Sequence, residues 1–226
     1  MIGKARELTN FYPVFLNLEG KKCIIVGGGE VAERKARRLL DCAARVTVVS
    51  RELNEGLRDM EKRGAVEHIA SDYDGAFLKG AFLVIGATDD AAVNEAVRRD
   101  ANSAGVLVNI VDDLEKCDFI LPSIMQRGDL QIAVSTGGTS PALARKVRLQ
   151  LENDYGREYG VYLKVLAELR KKVLMKGLAA DDNKKIFEAV VNSNVLALIR
   201  EGNWDEAGRT IFRISGEQID PEIFRQ

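Results

Sequence analysis

The residues with the clearest chemical content are Gly27, Gly28 and Gly29, followed by Glu30, Val31 and Ala32. Gly27, Gly29 and Ala32 fall on the three small positions of a G-x-G-x-x-G/A pattern, which holds a pyrophosphate. Gly27 allows a tight turn, Gly29 lets the backbone approach the phosphates, and Ala32 lets a helix pack closely on a strand. Unsatisfied N–H groups at the helix start, around Glu30 and Val31, then face the anion. Further candidates are Ser50, Arg51 and Glu52, Thr88, and the run Asn109-Ile110-Val111-Asp112-Asp113. An acidic side chain directly after the second strand would favour the 2′-hydroxyl of NAD, and a basic one a 2′-phosphate. Here Ser50 and Arg51 come first and Glu52 follows, so these residues alone leave the cofactor open. Helix capping accounts for Asp89 or Asp90. It accounts less well for the paired Asp112 and Asp113, because no clear helix pattern follows them.

These residues need strand ends to carry them. Cys23-Ile24-Ile25-Val26 is a short apolar run that ends at the glycines, and a charge-rich amphipathic run follows to about residue 40. Further strands are expected at about 45–49, 66–70, 82–85 and 106–111, with helices at about 54–63 and 90–104. Repeated β-α units imply a mostly parallel sheet covered on both faces, and ligands bind at the C-terminal ends of its strands. The pattern then changes. Two β-like segments, about 119–125 and 130–135, flank Gln126-Arg127-Gly128-Asp129, a hairpin signal. Ser140 is a natural N-cap with Pro141 at the first helical position. From about 159 to 212 the sequence is helical, broken near Gly177 and at Gly202-Asn203. The expected fold class is α/β, with a Rossmann-like parallel-sheet domain (1–117), a small β dimerisation segment (118–152) and a C-terminal helical domain (153–226). A lone hairpin is marginal in water. Pairing with a second copy is the sharper reading of this one, set against packing inside one chain.

Composition narrows the function. Thirty-three Lys and Arg against 34 Asp and Glu leave a net charge of -1, with no global pull toward nucleic acid or membrane. No apolar run approaches the roughly 20 residues of a membrane span. The start, Met1-Ile2-Gly3-Lys4-Ala5-Arg6-Glu7, lacks a signal-peptide pattern. Cys23, Cys42 and Cys117 form no C-x-x-C and read as reduced thiols in a cytoplasmic protein. With His68 as the single histidine, neither a histidine metal cluster nor a Ser-His-Asp triad is expected, and no metal ligands are assigned. His68 itself is expected in a strand, solvent-facing or packed.

Taken as an ordered set, several segments resemble the precorrin-2 dehydrogenase and sirohydrochlorin ferrochelatase family, the N-terminal type of siroheme synthase. They are Tyr12-Pro13-Val14-Phe15, V-G-G-G-E-V-A-E-R-K-A at 26–36, A-T-D-D at 87–90, V-N-I-V-D-D at 108–113, F-I-L-P-S at 119–123 and V-S-T-G-G-T-S-P-A-L-A-R at 134–145. The resemblance covers about 11–155, and the C-terminal helices match only in character. It implies oxidation of precorrin-2 to sirohydrochlorin with NAD as hydride acceptor, and in some members insertion of ferrous iron. It implies a homodimer built through the β segment, Asp112 as the catalytic residue, and Arg51 and Glu52 as NAD contacts. It also implies that the methyltransferase domain of the fused enzymes is not part of this chain. Two departures stand out. Ala43-Ala44 precedes the second strand where the family often has Gly, which concerns helix capping. Ser135-Thr136 stands where some relatives have two serines, which leaves the role of the second hydroxyl open.

Given such a substrate, rich in carboxylates, Ser135, Thr136, Gly137, Gly138, Thr139 and Ser140 offer backbone N–H groups and hydroxyls ahead of a helix, and Arg145 follows on it. Oxidation removes a hydride and a proton, so a base is needed, and Asp112 fills that role with Asp113 as second choice. The competing reading is a non-catalytic NAD-sensing dimeric module, which would need neither the paired aspartates nor the Gly-Gly-Thr-Ser-Pro loop.

Overall fold

The computed structural model describes residues 11–225, so the mixed, charged start at 1–7 lies outside the described residues. Strand β1 (Lys22–Val26) shows why the first part folds as it does. Its apolar residues alternate between two cores, Cys23 and Ile25 on one side of the sheet and Ile24 and Val26 on the other. Strands β2 (Arg45–Val49), β3 (Val66–Ile69), β4 (Leu83–Gly86) and β5 (Leu107–Ile110) join it in a parallel sheet of order β3-β2-β1-β4-β5. Helices α1 (Glu30–Asp41) and α2 (Glu55–Lys62) bury Ala32, Ala36, Leu39, Leu57 and Met60 in the first core. Helix α3 (Ala91–Ala104) and the 3-10 turn Gly75–Leu78 supply Val97, Ala101 and Leu78 to the second. After β1 the chain builds outward through β2 and β3, then crosses back to β4 and β5. The strand order therefore reverses between β1 and β4, the place where such sheets bind ligands.

The described residues divide into two compact units, with the boundary between Leu121 and Pro122. The second holds an antiparallel hairpin, β6 (Ser123–Arg127) and β7 (Leu130–Val134), and helices α4 (Pro141–Asp154), α5 (Glu158–Met175), α6 (Ala180–Val191), α7 (Val195–Arg200) and α8 (Trp204–Ser215). A final 3-10 turn spans Pro221–Arg225. Tyr162, Val165, Leu169, Val173, Val190, Ile199 and Ile211 belong to the helical core.

The hairpin differs from expectation at both ends. Its first strand starts at Ser123 rather than near 119, just past Pro122, which has no N–H to give a ladder. Arg127 pairs with Leu130, so the turn is only Gly128-Asp129, with Gly128 at φ +57. The helical breaks at Gly177 and Gly202 are present, and a further one, at Ser193-Asn194 between α6 and α7, has no glycine or proline to announce it. Ser140 caps α4 by accepting from Leu143 N at 3.2 Å.

Helix α1 ends in a Schellman motif: Ala43 N donates to Leu40 O at 2.9 Å and Ala44 N to Leu39 O at 3.1 Å. The motif puts Ala43 at φ +56, a conformation that costs a residue with a Cβ about 1–2 kcal/mol. Gly avoids that strain but loses more freedom on folding. Ala43→Gly should therefore stabilise the chain by about 0.5–1 kcal/mol, read as a higher urea midpoint at unchanged slope. A lower midpoint would contradict the strain argument.

Candidate functional site

The glycine loop passes through a gap that admits only backbone. Gly27 sits at φ +126, and a Cβ there would lie 2.3 Å from Ala87 O. A Cβ on Gly28 would lie 1.9 Å from Glu52 O and 2.5 Å from Ser50 Oγ. The loop is stitched on both sides: Gly27 N donates to Val49 O at 2.9 Å, Ala87 N to Val26 O at 2.8 Å, and Asn54 N to Gly28 O at 2.8 Å. Gly29 is different. A Cβ there would meet nothing within 4 Å. Gly29 is also the N-cap of α1 and has no side chain to satisfy the first N–H groups, so those around Glu30 and Val31 remain available to an anion. Uncapped donors beside open space fit a dinucleotide pyrophosphate.

Ser50, Arg51 and Glu52 follow β2 on the same edge of the sheet. Ser50 Oγ donates to Glu52 O at 2.5 Å, which folds this segment back toward Gly28. Arg51 makes a two-pronged pair with Asp72, Nε to Oδ1 at 2.6 Å and a terminal nitrogen to Oδ2 at 2.8 Å. These hydrogen bonds hold the Arg51 guanidinium above its ordinary value and the Asp72 carboxyl below its own. His68, in β3, meets Ser50 O through Nε2 at 2.9 Å and Glu61 through Nδ1 at 3.3 Å, so it packs against the back of this corner. Past β4, the Thr88 hydroxyl accepts from Asp90 N at 3.2 Å, and its carbonyl accepts from Asn94 at 2.9 Å.

At the end of β5, Asp112 is exposed and sits at φ +62, unusual for a residue other than glycine. The turn that holds it is built around Cys117. Its sulfur lies 3.1 Å from Asp113 O and 3.3 Å from Ile110 O, and accepts from Ile110 N at 3.2 Å. The one S–H serves one of those two carbonyls, and burial pushes the thiol above its ordinary value. The Asn109 amide is 2.9 Å from Phe119 O, where it ties the strand to the returning chain. Val111 packs against the first core. The two aspartates are not equivalent. Asp113 pairs with Lys116 at 3.0 Å, and Lys116 also reaches Glu95 at 3.3 Å. Asp112 enters no ion pair among the described residues. Lys35 of α1 feels its charge: burial holds the Lys35 ammonium below its ordinary value, Arg34 adds to this, and Asp112 opposes it.

In the second unit, the 135–140 loop is closed by its own hydroxyls. Ser135 Oγ accepts from Gly137 N at 3.1 Å and Thr136 Oγ1 from Ser140 N at 3.0 Å. Each hydroxyl acts as acceptor there and so keeps its own hydrogen to donate outward. Gly138 and Thr139 are exposed, as is Arg145 on α4. Arg148 is instead paired with Glu152.

Four residues that shape these sites are not singled out as site residues by the sequence alone. Asn54 caps α2 by accepting from Leu57 N at 2.9 Å and donates to Glu33 at 2.6 Å, joining the glycine loop to both helices. That bond, together with one from Arg37, holds the Glu33 carboxyl below its ordinary value. Lys35 and Asp72 act across segments distant in sequence, and Cys117 acts within its own turn.

Comparison with known proteins fits this geometry. An NAD(P)-binding family profile matches residues 14–123, and a sirohaem biosynthesis protein central profile matches residues 127–153. The chain belongs to the siroheme synthase N-terminal family. Siroheme synthase of Chromobacterium violaceum is 41% identical over 197 residues, 87% of this chain and 42% of that protein. Siroheme synthase of Methylobacillus flagellatus is 42% identical over 82% of this chain and 40% of its own length. The chain thus spans under half the length of these curated relatives. A solved structure described as SirC, precorrin-2 dehydrogenase, superposes with a TM-score of 0.77 at 25% identity, covering 90% of this chain and all of that one. Residues 14–123 form an NAD(P)-binding domain. Among the described residues no helix is long and apolar enough to cross a membrane.

Two glycine substitutions separate loop packing from ligand approach. Gly28→Ala should destabilise the fold by about 3 kcal/mol or more, because the clash is with backbone. Gly29→Ala should leave the melting temperature nearly unchanged but weaken dinucleotide binding by about tenfold or more, measured by calorimetry. Equal loss of stability in both variants would contradict this division.

Proposed function

We propose that this chain oxidises precorrin-2 to sirohydrochlorin, with NAD as hydride acceptor and Asp112 as proton acceptor. The observation that carries the reading is the state of Asp112. It is an exposed carboxylate, free of ion pairs among the described residues, held in a left-handed turn on the sheet edge that bears the glycine loop. β5 lies two strands from β1, on the order of 10 Å away at ordinary strand spacing. That suits a base working at the far end of a dinucleotide bound at Gly27–Val31. The family and the likeness to a precorrin-2 dehydrogenase support the substrate.

Bound NAD supplies the hydride acceptor. The chain's own residues do the rest. Gly29, Glu30 and Val31 offer N–H groups to the pyrophosphate, and Ser50, Arg51 and Glu52 border the ribose. Thr88 borders the path toward Asp112, while Asn109 and Val111, turned to Phe119 O and to the core, fix the strand end that carries Asp112. Asp113, neutralised by Lys116, is a poorer base. In the 135–140 loop the N–H groups of Gly137, Thr139 and Ser140 are taken up within the loop, so the hydroxyls of Ser135 and Thr139 and the Arg145 guanidinium are the exposed donors suited to the substrate's carboxylates. The choice of NAD over NADP rests on the family resemblance at Arg51 and Glu52. Insertion of ferrous iron into sirohydrochlorin would release pyrrole N–H protons, and Asp112 is the acceptor for these as well.

The working form is a homodimer joined through the 118–152 segment. Among the described residues β6 and β7 form a two-stranded sheet, so each keeps an outer edge that no third strand pairs. The free thiols Cys23, Cys42 and Cys117 suit a reducing compartment such as the cytoplasm.

Asp112→Asn should bind NAD as the wild type does while losing about 10²–10⁴-fold in turnover, followed by NADH absorbance with precorrin-2. Iron insertion should fall with it. A fully active variant would remove Asp112 from the reaction, and a wild-type chain that yields no NADH from precorrin-2 would remove the dehydrogenase itself.

A further inference from the structure

Arg51 and Asp72 leave the sheet side by side. β2 and β3 are adjacent and parallel, with Val49 opposite Ile69, so the segments that follow them emerge at one corner. In dinucleotide-binding sheets this corner receives the adenosine ribose, where an arginine accommodates a 2′-phosphate. Arg51 is the basic residue in that position. Its side chain is 77% exposed, yet both prongs of its fork are already aimed at Asp72, at 2.6 and 2.8 Å. The Asp72 backbone is itself fixed, its carbonyl accepting from Ser71 Oγ at 2.9 Å.

An exposed ion pair of this kind contributes little to stability. Its effect on an incoming anion is larger. A 2′-phosphate would meet a guanidinium whose Nε and one terminal nitrogen are already held by a carboxylate, its charge largely neutralised, and would sit beside that negative charge. A 2′-hydroxyl meets no such conflict, since it can donate to a carboxylate. We infer that Asp72 is a specificity-determining residue, which disfavours NADP by neutralising Arg51.

The inference rests on the ribose placement and on the choice of NAD made above. The test is calorimetry of the full chain with NAD and with NADP, for wild type, Asp72→Asn, and Asp72→Asn combined with Arg51→Ala. Asp72→Asn keeps the side-chain size and is expected to raise NADP affinity relative to NAD by about tenfold or more. Adding Arg51→Ala is expected to abolish that gain. If wild type prefers NAD and Asp72→Asn leaves the ratio unchanged, this inference fails alone. If the gain persists in the double variant, Arg51 is not the group released and the inference also fails. If wild type already binds NADP as tightly as NAD, the NAD reading fails and the inference falls with it.

Discussion

Everything at the carboxyl edge of the sheet depends on a gap too narrow for a side chain. Gly27 and Gly28 run between the ends of β2 and β4, with Ala87 O on one side and Glu52 O on the other. The gap is narrow because three parallel strands end in register, Val26 beside both Val49 and Gly86. Backbone hydrogen bonds from Gly27, Ala87 and Asn54 then draw the loops together. This closeness aims the first turn of α1 across the sheet edge, and it brings the segments after β2, β4 and β5 to border one region.

The Asp112 turn is a second constraint, of a different kind. A left-handed aspartate is strained, and strain persists only where the surroundings over-determine it. Here Cys117 binds the backbone of Ile110 and Asp113 from inside the turn, and Asp118 accepts from Val108 N at 3.0 Å to fix the returning chain. The cysteine works as a compact hydrogen-bonding plug, and its buried thiol is correspondingly reluctant to ionise. The same economy separates the neighbouring carboxylates: one is neutralised by Lys116, the other is left to solvent and to the field of Lys35.

In the second unit the motif-bearing loop and the helices have separate jobs. The loop after β7 is shaped by its own hydroxyls and ends in a capped helix with Pro141 at its start. The helices that follow enclose an apolar core of their own. Few polar side chains point into that core. Tyr162 is one, and its hydroxyl is satisfied by Val190 O at 3.2 Å.

The strands were legible in the sequence because burial on both faces demands short, mostly apolar, β-branched runs, as in Cys23–Val26 and in Val46–Val49 with its single Thr47. The glycine loop was legible for a similar reason: only backbone fits there, so residue type is forced. Hairpin limits were less so, since strand propensity at Phe119–Leu121 is overruled by Pro122 and by pairing register. Tertiary structure alone decided the partners. That Arg51 meets Asp72 and that Lys35 lies in the field of Asp112 depend on distances between segments, and even the local partners, Cys117 with Ile110 and Lys116 with Asp113, meet only because the turn after β5 closes. Local sequence records which groups are available, whereas a polar contact depends on where the folded backbone carries them, over separations that no spacing in the chain encodes.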